Sequence, residues 1–335
     1  MSTIAEQLAS NLQIAKNSTW TASLTDSGIP LLFPKDYISE HYRLLFDIPE
    51  EEKEIFHNAF RTVSEGVGNE IAKINSVASS SLLCLLAFYR LTQDGNDYVL
   101  KIPNIPALEG LSFTKCFFEI RNKVIGKPSC VDIVLVDTNK GVLLFLESKL
   151  SEYLETSHKE EYGKSYIPLY MEETINGILK NYDIFARQNQ RGELELLFGE
   201  SSSDKAYIEG IKQSISHLIG IYQGPQDQKT DSYDPKNYMY WFERAQKIYY
   251  GTIIYSPMSE PNKYIELYEG IIGANGSEIM NAIKRCKKDG VKNAFKEYAN
   301  RKIEVLSEVL TYQSLFSIYE NSRLLTPTVK MFYNL

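Results

Sequence analysis

The sequence predicts an α/β fold, a mixed central sheet flanked by helices, with helical elaborations before, within and after that core. Three observations carry the prediction. The runs KCFFEIRN, SCVDIVLVD and GVLLFLESKL, all between residues 115 and 150, are rich in Val, Ile, Leu and Phe and bounded by turn formers, as strands are. An almost wholly apolar helical pattern, SSSLLCLLAFYRL, precedes them. A further helical pattern, YIEGIKQSISHLIGIYQ, and a strand-like run, KIYYGTIIYSP, follow, so helix and strand alternate.

Taken in order, residues 1–63 read as an N-terminal helical extension. Ile4, Leu8 and Leu12 stand at helical spacing, and residues 36–63 repeat the pattern with a break at Pro49. Pro49 before Glu50, Glu51 and Glu52 reads as a helix start, since proline is tolerated in the first turn and carboxylates favour the positive end of the helix dipole. Residues 64–260 form the core. Its first helix is expected to run from Ser64 to Leu91, polar at first and then buried against the sheet. The Asp-Thr-Asn-Lys-Gly turn at 137–141 makes a hairpin of the second and third strands, and the third strand is apolar on both faces, as a covered central strand requires. Residues from about 151 to 205, polar and mixed, read as an insertion with helical stretches such as MEETINGILKNYDIFARQNQ. From about 261 to 335 the pattern is mostly helical and is expected to pack on the core.

With 335 residues, 43% hydrophobic and 24% charged, the composition is that of an ordinary folded protein. No run of 18 apolar residues occurs, and the N-terminus lacks a signal-peptide layout, so a cytoplasmic protein with no membrane partner is expected. Cys84, Cys116, Cys130 and Cys286 form no CxxC pair, which predicts neither disulfides nor structural zinc. The net charge of -7 argues against a surface built wholly for polyanions, but leaves room for a local basic groove. Residues 284–302 hold eight basic side chains; a phosphate track and a solvated helical face explain them equally well.

The chemistry resides in PSCVDIVLVDTNKGVLLFLESKL, residues 128–150, where ionisable groups interrupt strands that are otherwise apolar. Glu147 and Lys149, two apart, project from one face about 7 Å from each other, and normal hairpin pairing brings Asp132 alongside. Buried charges are costly unless paired or bound to a metal. Two carboxylates converging with an ammonium suggest a hard divalent cation, Mg2+ or Mn2+, which takes oxygen ligands and keeps several waters. Such an ion suits phosphodiester hydrolysis, with Lys149 orienting the attacking water or neutralising charge at phosphorus. The structural alternative is a plain Glu147–Lys149 salt bridge at a sheet end.

Asp132 followed by Glu147-Ser148-Lys149 across a hairpin resembles the motif of the PD-(D/E)XK nuclease superfamily, including poorly characterised bacterial members. The resemblance covers the core only, and Pro128 lies four residues ahead of Asp132 rather than directly before it. It implies a restriction-endonuclease-like core and a magnesium-dependent endonuclease acting on nucleic acid, DNA above all, in restriction or defence. Asp132, Glu147 and Lys149 would then be catalytic. Asp132, Glu147 and the backbone carbonyl of Ser148 would hold the metal, with Glu70 on the first core helix and Glu119 as further candidate ligands. Gln213 with His217, four apart on the second core helix, stands where some branches carry a glutamine and an aromatic, and would position ligands or substrate. No organic cofactor is implied. Many such nucleases pair up to cut both strands, which makes a homodimer an expectation. The competing reading is a nuclease fold without activity, serving as a nucleic-acid-binding or structural module.

Overall fold

The computed structural model describes residues 3–16, 23–24, 30–32, 39–64, 74–124, 128–150, 159–162, 166–199, 208–225, 233–256, 263–286 and 302–335. Its centre is a six-stranded mixed sheet flanked by helices. Strands β1 (Ser23–Leu24) and β2 (Pro30–Leu31) form a small separate ribbon. The main sheet begins with β3 (Lys115–Asn122), β4 (Ser129–Asp137) and β5 (Val142–Lys149), an antiparallel meander. The β4–β5 turn is closed by Asp137, whose Oδ1 accepts from the N–H groups of Asn139 (3.1 Å) and Lys140 (2.9 Å), and by Gly141 at φ +62°.

An insertion follows, containing β6 (Lys159–Tyr162), β7 (Ile184–Gln188) and β8 (Leu194–Phe198) as a sheet of its own in the order β6-β8-β7. The chain returns to the main sheet with β9 (Lys247–Ile254), parallel to β5; β10 (Lys302–Val305) and β11 (Leu310–Thr311) both run parallel to β9.

The helices divide between two apolar cores, one on each face of the sheet. On one face lie α1 (Ile4–Ala15), α2 (Ser39–Leu45), α3 (Lys53–Ser64) and α4 (Ser80–Phe88). In α4, Leu82 to Phe88 are buried on every side, which explains why its sequence lacks a polar stripe. The opposite face is covered by α5 (Glu173–Lys180), α6 (Ile208–Gln223), α7 (Tyr238–Arg244), α8 (Lys263–Tyr268) and α9 (Gly276–Arg285). The chain ends with α10 (Tyr312–Phe316) and α11 (Pro327–Tyr333), which return to the α4 face. There the N-terminal extension and the C-terminus lock together: Asn11 Nδ2 donates to Phe332 O (3.0 Å), and Thr326 Oγ1 donates to Phe46 O (2.7 Å).

Three expectations need correction, and one segment without an expected element gains one. The first core helix is not continuous over 64–91, because Ser79 Oγ accepts from Leu82 N (3.1 Å) and caps a new helix at Ser80, behind a turn in which Ser76 Oγ accepts from Ala78 N. The stretch MEETINGILKNYDIFARQNQ is helical only to Lys180; Asp183 then takes φ +60° and the chain continues as β7. The segment YMYWFER, left unassigned by its pattern, is α7, capped by Asn237. Beyond residue 261 the chain is not only helical, since β10 and β11 extend the main sheet. The basic run 284–302 lies largely outside the described residues.

Candidate active site

A row of three carboxylates crosses the sheet where its strands change phase. The β4–β5 register runs from Asp137↔Val142 to Ile133↔Leu146 and stops; one further step sets Asp132 opposite Glu147. On the other side, Phe118↔Ile133 and Ile120↔Val131 bracket Glu119 opposite Asp132, and that pair alone is skipped. Glu147 in turn faces Thr252 on β9. Ile133 and Leu135 pack in the α4 core while Val131 packs in the opposite one, although regular alternation would put all three on one face. Phe118 and Ile120 are divided in the same way. Both strands therefore exchange faces at this level while keeping register.

The break has a backbone signature. Glu119 sits at φ +52°, a left-handed conformation that costs a non-glycine residue about 1 to 2 kcal/mol. Strain of this kind collects at functional sites. Glu119→Gly is therefore expected to keep or raise thermal stability and, if the row holds a metal ion, to weaken its binding. A melting curve and a magnesium titration check this, and a clear loss of stability would show that the glutamate side chain matters more to folding than its backbone strain does.

Where β4 and β5 part, the Ser148 N–H donates instead to Asp132 Oδ2 at 2.6 Å, so the Asp132 side chain occupies the gap between the strands. Burial, together with the charges of Glu147 and Glu119, pushes the Asp132 carboxyl well above the usual carboxylate range; Lys149 and the Ser148 N–H oppose this without cancelling it. Glu147 behaves oppositely. Burial disfavours its charge, but Lys149 and His217 outweigh burial and hold its carboxyl below the ordinary value. Lys149 Nζ lies 2.7 Å from Glu147 Oε1, and His217 Nε2 lies 2.9 Å from Glu147 Oε2.

Of the predicted site residues, the structure brings together Asp132, Glu147, Ser148, Lys149, Glu119 and His217. Gln213 lies one turn before His217 on α6, half-buried, and makes no hydrogen bond to the cluster. Glu70 lies outside the described residues. Three contributors went unread in the sequence. Ser129 Oγ meets His217 Nδ1. Cys130 donates to Glu119 Oε2 at 3.1 Å, and its thiol is pushed up by burial and by the Glu119 and Asp132 charges, so it stays protonated. Tyr312 OH lies 2.8 Å from Ser148 Oγ, which also reaches Ser80 O (3.4 Å). Nothing local marks Tyr312, which is 164 positions from Ser148. Ser79 and Ser81 are buried, and Ser79 caps α4.

Among the described residues, no group of three His, Cys, Asp or Glu side chains is arranged to close on one ion. A magnesium ion asks less of a protein, one or two carboxylates with water completing the shell. Asp132 and Glu147 offer hard oxygens at one register level, and the charge of Glu147 and Glu119, which acts after burial to raise the Asp132 carboxyl, is what a divalent cation would relieve. The donor set fits such an ion. No helix among the described residues is long and apolar enough to cross a membrane. Compared with known proteins, the chain matches no family model, no curated protein and no solved structure.

Proposed function

We propose that this chain is a divalent-metal-dependent nuclease of the restriction-endonuclease-like kind that hydrolyses phosphodiester bonds, with DNA as the polymer its resemblance favours and restriction or defence as its role. The single observation that carries the reading is the juxtaposition of Asp132, raised by burial and by its neighbours' charge, with the ionised Glu147 and with Lys149 at a break in the sheet. The order α4-β3-β4-β5-α6-β9, with an insertion after β5, α7 before β9, and β9 parallel to β5, supports the reading.

Asp132, Glu147 and the Ser148 carbonyl would hold magnesium or manganese. When bound, the metal supplies Lewis-acid polarisation of a phosphodiester and a lowered pKa for water. Lys149 lies 2.7 Å from Glu147 Oε1 and would act by orienting the attacking water and by stabilising charge that builds on the phosphoryl oxygens. Asp132 is set in place by the Ser148 N–H, whose strand is anchored in turn through the Ser148 hydroxyl to Tyr312. A second reading, a nuclease fold without activity, is favoured by one observation: Lys149 and His217 already occupy both oxygens of Glu147.

The test is cleavage of plasmid, single-stranded DNA and RNA by the purified chain in magnesium, in manganese and in EDTA. Lys149→Met is expected to lower the rate about 100- to 1,000-fold, the usual cost of removing one charge-stabilising donor, while leaving metal binding in place. Metal binding without cleavage of any of the three polymers would favour the inactive module. Cleavage that persists in EDTA would end the metal reading.

A further inference from the structure

Glu147 has two oxygens and two partners, and the second partner is itself tethered. His217 and Ser129 are both buried, at 4% and 8% exposure, as is Glu147 at 5%. Glu147 Oε2 and His217 Nε2 lie 2.9 Å apart as an ion-pair contact that falls short of hydrogen-bond geometry, and neither atom has a hydrogen-bond partner among the described residues. The other ring nitrogen, Nδ1, meets Ser129 Oγ. Close packing of α6 makes this reach feasible: one turn beyond His217, Gly220 sits where a Cβ would lie 2.8 Å from Asn122 Cβ and 3.6 Å from Ser129 Cβ. Ser129 can face α6 only because β4 exchanges faces at Asp132. Val131 shares that reversed phase.

We propose that His217 is a positioning residue for Glu147 and that Ser129 sets its tautomer, a proposal that rests on the nuclease reading and extends it to a relay of Ser129, His217 and Glu147. A neutral imidazole carries one N–H. The Ser129 hydroxyl has a proton to give, and by donating to Nδ1 it leaves the ring hydrogen on Nε2, the nitrogen 2.9 Å from Glu147 Oε2, where a small ring rotation completes the hydrogen bond. Glu147 is then gripped on one oxygen by the ring. Its Oε1 accepts from Lys149. Residues that orient a metal-binding carboxylate typically contribute 10- to 100-fold to metal affinity. This assigns a use to a buried histidine and a buried serine that the hydrolytic step does not itself consume.

The test is calorimetric titration of magnesium into the full chain without nucleic acid, comparing wild type with His217→Gln, His217→Leu, Ser129→Ala and Asp132→Asn. Glutamine keeps an N–H donor toward Glu147, whereas leucine keeps only the volume. The expected result is a dissociation constant about 10- to 100-fold weaker in His217→Leu, largely recovered in His217→Gln, and intermediate in Ser129→Ala. The magnesium concentration for half-maximal cleavage should shift in the same order, with less change in the rate at saturating metal. Should His217→Leu fail to fold, Ser129→Ala and His217→Gln decide. Wild-type affinity in His217→Leu, or in Ser129→Ala where leucine does not fold, overturns the relay and leaves the nuclease reading standing. Magnesium binding in wild type that is absent, or unchanged by Asp132→Asn, overturns the metal site and the relay with it.

Discussion

Asp132→Asn is expected to abolish metal-dependent cleavage, by about 1,000-fold or more, while making the metal-free protein more heat-stable at pH 8 than the wild type. The two effects share one cause. Burial and the charges of Glu147 and Glu119 raise the Asp132 carboxyl, so the folded protein holds that proton more tightly than the unfolded chain does. The stability this contributes is fully present below the unfolded carboxylate value, about 4, and is lost as pH rises through the higher folded value.

Asparagine is neutral at every pH and keeps an oxygen for the Ser148 N–H, so the variant escapes that loss. Its advantage should therefore be small in acid and grow toward pH 8. Glu147 has the reverse sign: its carboxyl is held low, so its contribution is present above the unfolded value and lost as pH falls through the folded one. Magnesium should raise the wild-type melting temperature and leave that of Asp132→Asn nearly unchanged, because only the native wild-type site gains a ligand. Thermal unfolding in EDTA and in magnesium between pH 4 and 8, with a parallel cleavage assay, measures all of this. A variant that still cuts, or that melts below wild type at pH 8 in EDTA, would refute the charge argument.

Gly273→Ala should have the largest effect on folding itself. Gly273 closes a π-helical turn, Glu269–Gly273, between α8 and α9. A Cβ there would lie 2.4 Å from the Ser307 carbonyl oxygen and 2.9 Å from Ser307 Cα, and backbone atoms cannot swing aside as the tip of a side chain can. Ser307 belongs to the short link between β10 and β11. That link is fastened on both sides, since Leu306 N donates to Tyr250 O (2.8 Å) and Val309 N donates to Glu269 Oε1 (3.1 Å).

Pushing the link outward strains the strands that complete the sheet beside β9, and with them α10, which carries Tyr312 to Ser148. A cost of about 3 kcal/mol, at the upper end for overpacking, is expected. At roughly 2 to 4 °C per kcal/mol, the melting temperature would fall on the order of 10 °C. Gly177→Ala is the matched control: Gly177 is an exposed position inside α5 with nothing within 4 Å of the added carbon, so alanine should be neutral or mildly stabilising. Equal melting temperatures for Gly273→Ala and wild type would show that the link can yield.

Much of the core was legible because its signals are local. The strands β3, β4, β5 and β9 and the helix α6 follow from runs of branched and aromatic residues and from helical spacing, and they pack as those patterns require. The paired carboxylates and lysine stood out because charges inside buried strands need a reason. Elements whose identity depends on partners were not legible. β10 and β11 are four and two residues long, too short for a period to declare itself, and they are strands because β9 offers them an edge. The split of the first core helix turned on one serine acting as a cap rather than as another helical position.

By itself the sequence determined the α/β alternation, the β4–β5 hairpin and the presence of Asp132, Glu147 and Lys149 near one another, since each depends on residues close in the chain and on burial that their neighbours dictate. Only the tertiary structure decided that the strands exchange faces at the level of Glu119, Asp132 and Glu147. That exchange turns Ser129 toward α6; the fold also sets Lys149 and His217 against Glu147, which lower its carboxyl, raises that of Asp132 by burial and by its neighbours' charge, and brings His217 to Ser129 and Tyr312 to Ser148 from 88 and 164 positions away. The physical reason is that a strand's pattern reports which residues are buried, whereas the charge a carboxylate carries is set by whichever groups the fold brings against it.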